Sequence, residues 1–497
     1  MATIQKLQKI RLKKLEAIKR AGFLAYPATT KRSHKIEEAL NKFTVFSRFK
    51  KEIILVGRIY SIREHGGSCF LHFKDGTGKI QAYFKKNQLG EKSYQFFLDN
   101  FDIGDFIEIR GVLFKTKKGE KTIEVADFKM LSKSLLPLPE KWHGLQDIEE
   151  RYRKRYLDIL FNPEVKEMIK KKAIFWNNVR EFLTGRGFLE VETPVLETTT
   201  GGADAKPFIT HHNALDMDVY LRISTGELWQ KRLMIAGFEK TFEIGRIFRN
   251  EGMDAEHLQD YTQLEFYWAY ADYKDCMKLS EELFKYVAKK TFNTLKFKIG
   301  DFDVDLSKEW KRYDYQSTIK KYTKIDISSV NLRAIEKKLR ELEIVYDKKG
   351  LNEARAIDSL WKYCRKKIAG PGFLINEPLI TSPLAKRMTK HPELVERFHV
   401  ILAGSELANG YSELNDPIDQ KQRFEAQQKL REAGDEEAQM NDKDFVEALK
   451  YGMPPTAGFG MSERLFSFFM NKPMRECQIF PLMKPKEKSK IKNQNAK

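Results

Sequence analysis

Cysteine is scarce, with four residues in a chain of 497. Cys69, Cys276, Cys364 and Cys477 stand far apart and form no CxxC pair. That spacing excludes a zinc ribbon and a disulfide framework and fits a reducing cytoplasm. Long apolar runs are missing, so no stretch could span a bilayer as a helix. The opening MATIQKLQKIRLKKLEAIKRAGF also lacks the apolar core of a secretory signal. A soluble, cytoplasmic protein with no membrane partner is expected. Negative charge is in deficit: 70 Asp and Glu against 89 Lys and Arg leave a net +19. Such an excess points to a polyanionic partner such as nucleic acid, or else to a solvated lysine-rich surface, and charge alone leaves the two level. No internal repeat is present. A hydrophobic content of 41% with 12% aromatics excludes a disordered chain. The length exceeds one ordinary core, so two or more domains are expected.

The texture changes along the chain. Residues 1–49 place Ile4, Leu7, Ile10, Leu15 and Ile18 at near-helical spacing among lysines and arginines, which reads as a basic helical segment, either docked or facing RNA. Residues 50–135 alternate in short strands broken by turns, with an Asp-Gly turn in SCFLHFKDGTGKIQAYF and KKGEK as a later one. About five such strands suit a small Greek-key barrel of the OB type. Phe70, Phe73 and Tyr83 are available to stack on bases, although some must fill the barrel. A proline-bearing linker covers 136–165, an α/β region runs over 166–485, and KEKSKIKNQNAK reads as a disordered basic tail over 486–497.

Carboxylates gather in FRNEGMDAEHLQDYTQLEFY (248–267), where Arg249 stands among Glu251, Asp254, Glu256, Asp260 and Glu265. In YTQLEFYWAY a period of two puts Thr262, Leu264, Phe266 and Trp268 on one face, and Tyr261, Gln263, Glu265 and Tyr267 on the other. The polar face is either a solvated sheet surface or, with Arg249 at its end, a pocket wall. In RFHVILAGSELANGYSELND, strict alternation would separate Glu406 from Glu413, and a bulge at Gly410 would bring them to one side. PPTAGFGMSERLFSFFM turns into a helix with Arg464 in its first turn, where a bound phosphate would offset the macrodipole. Ser224 and Glu227 have capping-box spacing, which explains Glu227 as a helix cap.

Taken in order, GFLEVETP (187–194), FRNE…H…YTQLEFY and GFGMSERL resemble motifs 1, 2 and 3 of the class II aminoacyl-tRNA synthetases. GGADAKPFITHHNALDMDVYLRIS (201–224) and NGYSELNDP resemble the lysyl branch of subclass IIb. The resemblance runs from about residue 50 to Pro485. It implies an α+β chain: an N-terminal OB-type β-barrel that reads the anticodon, then a class II catalytic domain built on an antiparallel β-sheet flanked by helices. It further implies a ligase that joins lysine to ATP as lysyl-adenylate and passes the lysyl group to the 3′ end of tRNA(Lys). Carried over by position, Arg249 and Arg464 are the catalytic arginines, on the α- and γ-phosphates. ATP is also met by Glu251, His257, Tyr261 and Glu406. Lysine is held by Glu227, Glu265, Tyr267, Asn409 and Glu413. Phe70, Gln81 and Arg63 take the anticodon. Mg²⁺ is the implied cofactor, with Glu406 and the position of His399 as its ligands, and motif 1 with Pro194 implies a homodimer.

There are three departures from the family pattern. Glu256 stands where bacterial relatives carry arginine, His399 stands where the family has a metal-binding glutamate, and motif 3 is one residue short. Against the rival aspartyl and asparaginyl members, Glu265 and Glu413 would repel an aspartate side chain. A catalytically silent RNA-binding regulator is the alternative from another class.

Overall fold

The computed structural model describes residues 2–139, 145–203, 205–252, 254–346, 351–434 and 438–486. From 487 onward the expected tail lies outside the described residues. The chain forms two compact units, residues 1–145 and 146–497.

In the first unit the strands β1 (Glu52–His65), β2 (Ser68–Lys74), β3 (Lys79–Lys85), β4 (Phe106–Lys115) and β5 (Lys121–Ser132) close into a barrel of order β1-β2-β3-β5-β4. Period-two alternation turns Cys69, Leu71 and Phe73 of β2 inward with Ile80, Ala82 and Phe84 of β3. The helix Glu91–Asn100 stacks Phe97 on Phe84 at 4.1 Å between centroids. Phe70 and Tyr83 point the other way, so the division between filling and surface aromatics follows the pleat. The N-terminal helix Ala2–Arg20 buries Leu15 and Ile18 against this core. It is fastened by Arg11, which donates to the carbonyls of Ile103, Ser134 and Leu136, and by Lys14, 2.7 Å from Asp102. The helix is docked on the barrel unit.

The second unit begins with two short helices, Ile148–Arg153 and Arg155–Phe161, inside the stretch read as a linker. Its strands are β6 (Leu189–Glu190), β7 (Leu196–Glu197), β8 (Ile209–His212), β9 (Met217–Leu221), β10 (Lys240–Phe248), β11 (Asp260–Ala269), β12 (Lys296–Ile299), β13 (Phe302–Asp305), β14 (Lys311–Asp314), β15 (Gly372–Pro378), β16 (Leu394–Leu402), β17 (Ser405–Ser412) and β18 (Thr456–Ser462). Eight of them form the main sheet, in the order β14-β15-β16-β17-β18-β11-β10-β6. Its pairings are antiparallel except β14 with β15 and β10 with β6, so the sheet is mixed and mostly antiparallel. The long helices Pro163–Thr184 and Tyr273–Phe292 cover its back, where Phe182, Leu283 and Phe284 meet Leu264, Phe266 and Phe459. Among the described residues no helix is long and apolar enough to cross a membrane.

The extra residue in β17 is not at Gly410. Val400 faces Ala408 while Ile401 faces Glu406, so the bulge falls at Leu407. Gly410 pairs regularly with Phe398 and Phe459, and it is glycine for another reason. A Cβ there would lie 2.7 Å from the Gly458 carbonyl and 2.8 Å from the Phe398 ring. Gly410→Ala should therefore overpack the sheet and cost about 1–3 kcal/mol. Thermal or urea unfolding measures it, and a wild-type midpoint would contradict this packing.

Candidate active site and base-binding face

The front of the main sheet carries a cavity of about 530 Å³. Tyr261, Gln263, Glu265 and Tyr267 of β11 all line it, so the polar face is a pocket wall, while Leu264 and Phe266 join the core behind. Beside β11 runs β18, with Gly460 opposite Glu265 and Gly458 opposite Tyr267. A side chain at 458 would collide with Glu413, only 2.1 Å from the Cβ position. The bulge at Leu407 brings Glu406 to the side shared by Asn409, Tyr411 and Glu413, and all four line the cavity.

One end is acidic. Glu227, Glu265 and Glu413 are 4%, 4% and 1% exposed. Glu265 accepts from the Thr225 amide at 2.7 Å, from Gln263 Nε2 at 2.6 Å and from the Tyr267 hydroxyl at 3.1 Å. Burial, with the Glu227 charge adding to it, pushes its carboxyl up to about 8. Burial also raises Glu413, against the pull of Lys231. Glu227 opens the helix Glu227–Ile235, but the capping-box expectation fails. Ser224 Oγ donates to the Gly201 carbonyl, and the cap is Gly226, left-handed at φ 68°. Glu227 instead accepts from the Tyr411 hydroxyl and from Lys231 Nζ at 2.6 Å.

The other end is cationic. Arg249 follows β10, and its Nε donates to the Ile223 carbonyl at 3.1 Å. The guanidinium carbon lies 5.8 Å from the centre of the Tyr261 ring. Arg464 starts the short helix Arg464–Phe469, donates to the Glu406 carbonyl and lies 3.6 Å from Glu256. Burial lowers its pKa. The remaining acids of the 248–267 stretch have local tasks. Asp254 accepts from the amides of Glu256 and His257, Glu256 accepts from Ser405 Oγ, and Asp260 pairs with Arg246. Glu251 and His257 line the same end.

In the barrel unit, Arg63, Phe70 and Tyr83 lie side by side across β1, β2 and β3. Phe70 and Tyr83 stack at 4.4 Å. His72 and Gln81 form the next rung. Gln81 donates to Glu120 at 2.8 Å and accepts from Thr122 at 2.8 Å, which fixes its amide.

A family model described as class II tRNA synthetases (D, K and N) matches residues 147–484, and one described as an OB-fold nucleic acid binding domain matches 53–131. The lysine–tRNA ligase of Thermotoga maritima is 44% identical over 490 residues, 97% of each chain. Those of Thermoanaerobacter sp. (strain X514) and Thermosipho africanus are 46% and 42% identical over 487 and 488 residues, again covering 97% of each chain. The chain belongs to the class II tRNA synthetases of the D, K and N group.

In this synthetase every cavity residue expected from the sequence lines one cavity: Arg249, Glu251, His257, Tyr261 and Arg464 toward one end, Glu227, Glu265, Tyr267 and Glu413 toward the other, with Glu406, Asn409 and His399 on the adjoining strands. Four further residues went unread. Lys231 is four residues after Glu227 and looks like an ordinary helix pair. Tyr411 shares strand parity with Asn409 and Glu413, a signal that could have found it. Trp361, from the helix Glu353–Arg365, donates to Glu406, and Glu120 sits in the KKGEK turn; neither carries a local signal.

The chemistry of the donors decides which residues suit Mg²⁺. Burial would raise Glu406, but His399 and Arg365 outweigh it and hold the carboxyl down at about 2, so it presents ionised, hard oxygen donors. His399 Nε2 lies 2.8 Å from Glu377, and its Nδ1 is 3.7 Å from Glu406. An imidazole engaged with a carboxylate is a poor Mg²⁺ ligand. Among the described residues no group of three His, Cys, Asp or Glu could hold a metal. Glu406 would suit a Mg²⁺ that brings most of its oxygen ligands with it, whereas His399, engaged with Glu377, would not.

Glu265 gives a pH signature. Its folded pKa, about 8, exceeds the ordinary 4.5, so the folded protein binds more protons than the unfolded chain between those values. Stability from this group is therefore lost as pH rises through that window. Glu265→Gln should lose less stability than wild type between about pH 5 and pH 8.5 in urea melts. Equal losses would place Glu265 at an ordinary pKa.

Proposed function

We propose that this synthetase is a lysine–tRNA ligase that activates L-lysine with ATP and transfers the lysyl group to tRNA(Lys). The observation that carries the reading is the buried acidic end of the cavity, with Glu227, Glu265 and Glu413 beyond Arg249. Lysine brings two ammonium groups and one carboxylate. Glu227 takes the α-ammonium, while Glu265, Glu413 and Tyr267 surround the ε-ammonium, with Asn409 beside them. A buried carboxylate rejects leucine or methionine, which would leave its charge unpaired, and it repels aspartate.

Arg249 is placed to grip the amino-acid carboxylate and the α-phosphate together, since a planar guanidinium binds two anions at fixed angles. The carboxylate oxygen attacks the α-phosphorus, the bond to pyrophosphate breaks, and Arg249 offsets charge gathering on the phosphoryl oxygens. Tyr261 stacks on adenine, Glu251 and His257 contact the nucleotide, and Arg464 holds the γ-phosphate once it leaves Glu256. Mg²⁺ arriving with ATP would offset phosphate charge, with Glu406 as the chain's own ligand.

On the barrel, Phe70 and Tyr83 offer a platform for an unstacked base, with Gln81 and Arg63 reading or clamping beside it. Motif 1 supports a homodimer: around Pro194, Leu189, Val195 and Leu196 are 51%, 41% and 49% exposed, apolar surface that a second copy would cover. Four buried, separate thiols agree with a cytoplasmic location.

ATP–pyrophosphate exchange across the amino acids tests the assignment, with lysine the expected substrate and exchange with none favouring the silent regulator. Glu265→Gln or Glu413→Gln should each lower lysine-dependent exchange on the order of 10²-fold, with the KM for ATP little changed. Survival of exchange in both would displace lysine from this end. Phe70→Ala should weaken aminoacylation by roughly 1–3 kcal/mol and leave exchange intact. Equal loss in both half-reactions would make Phe70 a structural residue.

A further inference from the structure

Lys231 is 1% exposed and does not itself line the cavity, but it meets two of the carboxylates at the acidic end. Its ammonium is 2.6 Å from Glu227 Oε1 and 2.6 Å from Glu413 Oε2. Glu227 and Glu413 therefore already share one cation that belongs to the protein. Glu227 and Lys231 are four residues apart on the helix Glu227–Ile235, so the contact is built into the helix face. The adjacent Glu243, which pairs in register with Glu265, is separately matched by Arg222 at 2.5 Å. Arg397 lines the same cavity and lies 3.8 Å from Glu377, a carboxylate outside this cluster, with its guanidinium carbon 5.7 Å from the centre of the Tyr411 ring.

We infer that Lys231 is a fixed counter-ion that sets the charge the acidic end demands of its substrate, making it a positioning and specificity residue for amino-acid selection. With lysine bound, its ammonium groups hold Glu265 and Glu413 ionised, so Glu227, Glu265 and Glu413 contribute three negative charges, and Lys231 cancels one. Two remain, and a diammonium amino acid supplies two positive charges, while its carboxylate goes to Arg249. An amino acid with one ammonium group leaves a buried carboxylate unmatched. Removing Lys231 creates the same imbalance even with lysine bound. The third carboxylate thus gives the cavity a shape and a hydrogen-bonding set without demanding a third charge from the substrate.

This rests on the lysine reading above, and the two can fail separately. Wild-type exchange without lysine dependence would sink that reading whatever Lys231 does. The inference itself is tested by charge restoration, measured as the KM for lysine in ATP–pyrophosphate exchange. Lys231→Met alone leaves an excess negative charge, and Glu413→Gln alone an excess positive one. Each should raise the KM for lysine on the order of 10²-fold, with the KM for ATP little changed. The double variant Lys231→Met/Glu413→Gln restores the balance, so its KM for lysine should fall at least about tenfold below that of Glu413→Gln. A merely structural Lys231 predicts the opposite, because two packing losses accumulate. A double variant no better than Glu413→Gln overturns the inference, and that comparison stands even where Lys231→Met alone fails to fold.

Discussion

A carboxylate loses its hydration on burial, and three of them in one cavity also repel each other. Glu227, Glu265 and Glu413 meet that condition at the centre of the catalytic unit, and much of the surrounding structure answers to it. Lys231 sits between two of them, and the Thr225 amide, Gln263 and the Tyr267 hydroxyl converge on the third. The donors come from a helix, a loop and the sheet, so the cluster survives only while those elements keep their places. The glycines are part of the same solution. Gly458 leaves the space that Glu413 and Tyr267 occupy, and Gly226 makes a left-handed turn against Thr193 that starts the helix bearing Glu227 and Lys231.

Polarity reverses along the cavity. Arg249 stands between the acidic cluster and the end lined by Arg464, His257 and Tyr261, and in the proposed reaction that junction is where carboxylate and α-phosphate meet. A substrate pair with ammonium groups at one extreme and a triphosphate at the other can enter in only one sense. Within the cationic end, Glu256 and the Glu406 carbonyl occupy Arg464. In the proposed reaction, nucleotide binding exchanges one anionic partner of Arg464 for another and does not have to neutralise an uncompensated guanidinium.

The barrel unit solves a different problem. Closure satisfies the strand edges, and alternation gives each strand an apolar inner face and an outer face free for contact. On that outer face the stacked pair Phe70 and Tyr83 adjoins a polar rung in which Gln81 is oriented by Glu120 and Thr122. Stacking tolerates any base, whereas a fixed amide discriminates between base edges, so the two rungs suit affinity and selectivity respectively.

Period-two alternation by itself determined that Tyr261, Gln263, Glu265 and Tyr267 share one face of β11, and that β2 and β3 send alternate residues into a core. The order and wording of the motifs determined the family and the positions of Arg249, Glu406 and Arg464, because those residues lie in stretches where local pattern and chemistry coincide. Only the tertiary structure decided the rest. Whether Glu406 joins Glu413 depends on which residue bulges, and Leu407 carries no signal of it; sheet register settled the point. Glu227 had capping spacing; Lys231 is its partner on the same helix, and Tyr411 of β17 joins it only through the tertiary fold. Trp361 reaches Glu406 across 45 residues, and Glu120 reaches Gln81 across 39. Periodicity reports which residues share a face of one element, whereas the charge balance of a cavity depends on which elements face each other, and that is fixed by long-range packing.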